Sequence, residues 1–146
     1  MQVKEVLPRA GERLAVIDAS ASIRDAAHLM TGPHTNLVVV CQGGAAIGVV
    51  TKKDIVAEIS SCKAFDLGAP VETVMTREVS HCRASDPLAD VWKTMKARDI
   101  QAIPVLDQNR VPVGIVYARD ALQCLLQEVE TDDELVRDFI SGVGYR

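Results

Sequence analysis

The residues best placed to do chemistry are Thr51 and Asp54, with Lys52 and Lys53 between them. They close the run Gly48-Val49-Val50-Thr51-Lys52-Lys53-Asp54, and a second run, Gly114-Ile115-Val116-Tyr117-Ala118-Arg119-Asp120, ends in the same way. A hydroxyl and a carboxylate at this spacing after an apolar stretch mark the start of a helix. Each side chain there satisfies a backbone N–H, and such a cap is worth about 1 kcal/mol with no ligand present. The same place suits an anion, because free N–H groups and the helix dipole point at it, and the two lysines add positive charge. The pattern alone leaves both readings open. One internal comparison favours a role beyond capping: Tyr117 is a poor N-cap, yet Asp120 is still present.

Nothing beside these residues supplies a nucleophile with a base. Cys41, Cys62, Cys82 and Cys124 are widely spaced and form no C-x-x-C pair, so they read as buried, inert thiols rather than zinc ligands or disulfides. His34 and His81 lack an acid or nucleophile partner in sequence, and His28 falls opposite Lys93 in the repeat described below, which makes it a surface residue. The chain is therefore expected to be neither an enzyme nor a metalloprotein.

The elements that must position Thr51 and Asp54 occur twice. With Met30 set against Met95, residues 14–41 match residues 79–106 without a gap, and after a one-residue slip Gly48, Val50 and Asp54 match Gly114, Val116 and Asp120. Each half reads as strand, helix, strand, turn, strand, helix. Ile23, Ala26, Ala27 and Met30, and again Leu88, Val91, Trp92 and Met95, fall on one helical face, making Trp92 and Met95 core residues. Asp86-Pro87 reads as an N-cap with proline at the first helical position, and Asp25 and Asp90 as first-turn acids. The β-branched runs Leu37–Cys41 with Ala46–Val50, and Ala102–Leu106 with Val111–Val116, are expected to be hairpins, turned at Gly43-Gly44 and Asn109-Arg110. Helices are expected over about Lys52–Ser60 and Ala118–Glu130. Thr131-Asp132-Asp133-Glu134 reads as a capping box starting a separate short helix to about Ile140, stopped by Gly142 and Gly144.

Composition sets the class. A chain of 146 residues, 48% apolar and 25% charged, has enough length for one proper core. Only Phe65, Trp92, Tyr117, Phe139 and Tyr145 are aromatic, so that core must be aliphatic. A net charge of −4 argues against nucleic acid as a partner. No apolar run has the length of a membrane span, and residues 1–5 lack a signal-peptide core, which makes a cytoplasmic protein the expectation.

Two units closed by G-h-h-[T/S]-x-x-D (h, apolar) resemble the cystathionine-β-synthase-type (CBS) domain, and two in tandem resemble a CBS pair. The resemblance runs from Val3 to about Glu130 and takes in Val74-Met75-Thr76 and Ile103-Pro104-Val105-Leu106-Asp107. It implies an α/β (α+β) fold of two βαββα repeats, packed sheet to sheet about a pseudo-two-fold axis, plus a short C-terminal helix. The divisions would be repeat 1 over 3–61, a linker over 62–70, repeat 2 over 71–130 and a helical tail over 131–146. The resemblance implies a regulatory role, a disc-like homodimer, an unknown effector protein as partner and no required cofactor, and it is to the small stand-alone bacterial members. They take an adenine-containing ligand (AMP, ADP or ATP, S-adenosylmethionine or an NAD-type molecule) in clefts between the repeats.

Carried onto this chain, the resemblance places the ribose on Asp54 and phosphate near Thr51, with Lys52 and Lys53 adjacent. Asn36, Thr76, Val79, Ser80 and Ile100 would complete that cleft. By pseudo-symmetry a second cleft would use Tyr117, Asp120, Gln101, Leu14, Ala15 and Thr35. Tyr117 departs from the family pattern and would either stack on a base or plug the site, so the first cleft is the expected competent one. The other reading is a non-sensing interaction dimer with its clefts filled by side chains. Leu135, Val136, Phe139 and Ile140 would give the tail an apolar docking face.

Overall fold

A computed structural model describes residues 1–61, 64–77 and 80–141, from residue 131 onward by the backbone alone. After a 3-10 turn at Val3–Val6 come α1 (Leu7–Glu12), β1 (Val16–Asp18), α2 (Ile23–Leu29), β2 (Leu37–Gln42), β3 (Ala45–Thr51) and α3 (Lys52–Ser61). The second half contains a 3-10 turn at Val71–Thr73, then α4 (Leu88–Arg98), β4 (Ala102–Leu106), β5 (Pro112–Tyr117) and α5 (Ala118–Ser141). Strands β1, β2 and β3 form one sheet, with β1 parallel to β2 and β2 antiparallel to β3; β4 and β5 form a second, antiparallel sheet. Both hairpins are where the β-branched runs and turn residues place them.

Side-chain alternation along the strands builds three clusters from two sheets. On β2, Val38 and Val40 point into the core of the first repeat, with Ile23, Ala26, Met30, Val50 and Ile55. Their neighbours Leu37 and Val39 point the other way. They meet Ala46, Val49, Leu106, Ile115 and Tyr117 in a cluster that joins the two sheets. The core of the second repeat gathers Leu88, Val91, Met95, Ile103, Val105, Val116 and Ala121, with Trp92 packed at its edge under Lys96 Nζ, 5.2 Å from the ring centre. Trp92 and Met95 are thus core residues, as their helical spacing predicts.

The lead-in segments are exchanged between the halves. Val3, Val6 and Ala10 belong to the core of the second repeat, and the Val3 and Lys4 N–H groups donate to Asp86 and Ala84 carbonyls at 2.9 and 2.8 Å. Reciprocally, Val71 is buried in the core of the first repeat and its N–H donates to the Ala21 carbonyl at 2.7 Å. This exchange explains the glycine that opens each repeated run. A Cβ on Gly114 would lie 2.9 Å from the Ala10 Cβ, and one on Gly48 would lie 2.7 Å from the Thr76 carbonyl oxygen. At both points a strand passes directly beneath the lead-in segment of the other repeat, and only hydrogen fits between.

Four expectations are corrected. Among the described residues, the strand expected before α4 is one parallel bridge, Cys82 to Val105, and the residues after it pair with the N-terminal segment instead. Asp86 is not the N-cap of α4; Pro87 holds that position, and the Asp86 carboxylate accepts from the Arg83 N–H at 2.8 Å. Leu7–Glu12 is helical, although no helix was expected there. Finally, α5 runs unbroken from Ala118 to Ser141, so Thr131 starts no new helix. An N-cap needs non-helical backbone, and with no glycine or proline between Ala118 and Ser141 nothing interrupts the helix to provide it. The side chains of the proposed docking face and the stop glycines lie outside the described residues. Among the described residues no helix is long and apolar enough to cross a membrane.

Candidate functional site

The end of β3 delivers Thr51 to the start of α3, and there the two side chains do what their spacing predicts. The Thr51 N–H donates to Asp54 Oδ2 at 2.9 Å, and the Asp54 N–H donates to Thr51 Oγ1 at 3.2 Å. This reciprocal cap commits one carboxylate oxygen of Asp54. Among the described residues, the other, Oδ1, meets the Thr76 hydroxyl, which donates at 3.5 Å, near the limit of a hydrogen bond.

That second oxygen faces a cavity of about 430 Å³ lying between the two repeats. The first repeat contributes Asn36, Leu37, Val49, Thr51, Lys52, Lys53 and Asp54, and the second contributes Thr76, Ser80, Asp99, Ile100, Gln101 and Ala102. Leu37, Val49, Ile100 and Ala102 make opposed apolar walls, while Lys52 and Lys53 stand exposed at the mouth. Thr76 is held in place by an antiparallel bridge: its N–H donates to the Val49 carbonyl at 2.8 Å and the Val49 N–H donates back at 3.0 Å. Arg98 donates to the Ser80 hydroxyl. The space is large enough for a small organic ligand.

Every residue expected in the first cleft lines this cavity except Val79, which lies outside the described residues. Leu37, Val49, Asp99 and Ala102 also line it and were not expected. Leu37, Val49 and Ala102 adjoin or alternate with expected residues along their strands, so strand geometry was a signal for them. Asp99 had none: it reaches the cavity because α4 ends there in a left-handed conformation, φ 54°.

The set expected for a second cleft is distributed differently. Gln101 lines the first cavity. Tyr117 occupies the position equivalent to Thr51, but its ring is buried in the inter-sheet cluster beside Leu14, and its hydroxyl accepts from the Asn36 N–H at 3.0 Å. Ala15 packs on the core of the first repeat, and Thr35 is half-buried. Asp120, only 7% exposed, is engaged by a residue that sequence reasoning did not single out. Arg13 donates from Nε to Oδ2 at 3.1 Å and from Nη2 to Oδ1 at 3.4 Å, and Arg9 Nη1 stands 3.8 Å from Oδ1. The carboxylate in turn holds the Arg13 pKa above its usual value, mainly through that hydrogen bond.

Of the described thiols Cys82 is buried, as expected, whereas Cys41 and Cys124 are only half-buried. Cys41, Cys82 and Cys124 are free, and burial pushes the Cys82 pKa up to about 12, with the charge of Asp86 adding to it. Cys62 lies outside the described residues.

Comparison with known proteins agrees with this fold. The CBS domain family matches residues 3–61 and again 71–127. The chain is 29% identical over 108 residues to the CBS domain-containing protein YhcV of Bacillus subtilis, covering 74% of this chain and 76% of that one. It is 33% identical over 110 residues to a homoserine O-acetyltransferase of Methanohalobium evestigatum, covering 75% of this chain but only 22% of the transferase. Among solved structures, the CBS-domain containing protein ATU1752 of Agrobacterium tumefaciens superposes with a TM-score of 0.74 at 25% identity, covering 85% of this chain and 98% of that one. The CBS domain pair of MJ0100, solved with 5'-methylthioadenosine and S-adenosylmethionine, gives 0.73 at 25% identity over 86% and 99% of the two chains. With two matching repeats folded against one another about a shared cleft, the chain belongs to the CBS domain family as a tandem pair.

Proposed function

We propose that this CBS pair is a regulatory module that binds an adenine-containing ligand in the Asp54 cavity and signals its occupancy through the packing of the two repeats. The observation that carries the reading is Oδ1 of Asp54, outside the cap and met by the Thr76 hydroxyl only at 3.5 Å, on a cavity with apolar walls, a helix N-terminus and two lysines. A carboxylate oxygen accepts from sugar hydroxyls, the walls enclose a flat base, and the lysines and helix start favour phosphate. The adenosine derivatives bound by the MJ0100 pair support the ligand class. Because both repeats line the cavity, a ligand that prefers one packing arrangement would shift the equilibrium between arrangements.

Thermal unfolding against AMP, ADP, ATP, S-adenosylmethionine and NADH tests this. A ligand at about 100 times its Kd adds ~2.7 kcal/mol to stability, which raises Tm by several degrees. The shift should vanish in Asp54→Ala, whose ligand-free Tm falls modestly through the lost cap. If none of the five moves Tm, Thr51 and Asp54 are a helix cap only.

A homodimer is part of the same proposal. Val56 and Ile59 on α3, and Leu122, Leu126 and Val129 on α5, are exposed at 39–63%. Large apolar side chains spaced in this way along two helices suit a second copy. Light scattering should return twice the chain mass of 15.8 kDa, falling to one in Ile59→Glu/Leu126→Glu; a wild-type monomer at micromolar concentration would remove the dimer from the proposal.

A further inference from the structure

We propose that the chain fills its own second cleft, with Arg13 standing where a ligand would have to bind, so that the module takes one ligand per chain. This rests on the reading of the Asp54 cavity as the ligand site. The argument is a comparison between two carboxylates at equivalent positions of the repeat. Asp54 is half-buried, spends one oxygen on its cap and turns the other to an open cavity. Asp120 is 7% exposed and has both oxygens taken by the guanidinium of Arg13, at 3.1 and 3.4 Å. Neutral hydroxyl donors compete poorly for it, since they would replace a two-point, charge-assisted contact with a buried carboxylate by weaker neutral hydrogen bonds.

Two further features keep the cleft closed. Tyr117 stands where Thr51 does in the other half, and its buried ring and the hydrogen bond from Asn36 occupy the space next to the helix start. Arg13 is also placed at the cleft by its backbone. It follows directly on α1, which is seated on β5 by the contact of Ala10 with Gly114. At the position equivalent to Arg13, the other half has Glu78 in its sequence, which cannot donate to a carboxylate as a guanidinium does. The lead-in segment of the chain thus makes two similar repeats unequal.

Native mass spectrometry of the full chain, with AMP and S-adenosylmethionine as probes, counts the sites. The expected result is one ligand per chain in the wild type and in Asp120→Asn, none in Asp54→Ala, and a second, weaker equivalent in Arg13→Ala/Tyr117→Thr. Two equivalents on the wild type, or loss of binding in Asp120→Asn, would overturn the proposal. Melting of ligand-free variants tests the plug by itself. Asp120→Asn should lower Tm in the wild type but raise it in an Arg9→Ala/Arg13→Ala background, where it removes an orphaned charge. An equal fall in both backgrounds would overturn the proposal, even if neither probe binds. If neither probe binds but the Tm effect reverses sign, the ligand reading fails while the plug stands.

Discussion

Replacing Ile115 by alanine is expected to lower the unfolding free energy by about 3 kcal/mol, within the 2–5 kcal/mol span of buried large-to-small changes. Ile115 has no exposed surface and sits at the centre of the cluster that joins the two sheets. Its removal leaves a void bounded by strands of both sheets, which are paired to their neighbours and cannot collapse inward without breaking register. Two positions earlier on the same strand, Val113 is 37% exposed, and Val113→Ala should stay within about 0.5 kcal/mol. Urea titration of the two variants measures the difference. If they are equally stable, the sheet-to-sheet cluster is not where the repeats are held together.

Gly48→Ala should be comparably damaging for the opposite reason. The added methyl would lie 2.7 Å from the Thr76 carbonyl oxygen and 2.8 Å from the Met75 sulfur. The sulfur has room to move, but the carbonyl is fixed by the two hydrogen bonds between Thr76 and Val49. Relief requires β3 and the lead-in segment to separate, at a cost of about 1–3 kcal/mol. The same separation displaces the Thr76 hydroxyl from Asp54 and widens the cavity between them. Gly48→Ala should therefore lose both melting temperature and most of any ligand-dependent Tm shift. Gly114→Ala, crowded against Ala10 on the other side, should lose stability but keep the shift. Equal ligand responses in the two variants would show that the Thr76 bridge does not shape the site.

Much of the fold is visible in local patterns because its determinants are local. The two faces of β2 are spelled by consecutive residues, Leu37 and Val39 against Val38 and Val40, and the turn after them by two glycines with φ of 62° and 83°. The Thr51–Asp54 cap is equally local, a contact across three residues. Helix α1 was not visible. Leu7-Pro8-Arg9-Ala10-Gly11-Glu12 is short and carries both a proline and a glycine, and the residue it buries, Ala10, does so against a strand from the far end of the chain.

The sequence by itself determined the repeat, the two hairpins, the helices that follow them, and the pairing of Thr51 with Asp54. Each depends on the periodicity or spacing of neighbours, and hydrogen bonds and alternation act over that range. Tyr117 favoured the first cleft from sequence, but only the tertiary structure decided what holds the second carboxylate. Asp54 and Asp120 have the same place in their repeats, and what separates them is Arg13, 107 residues from Asp120 along the chain. An ion pair of that separation leaves no trace in local pattern, because nothing along the chain records that the first helix is packed on the last strand.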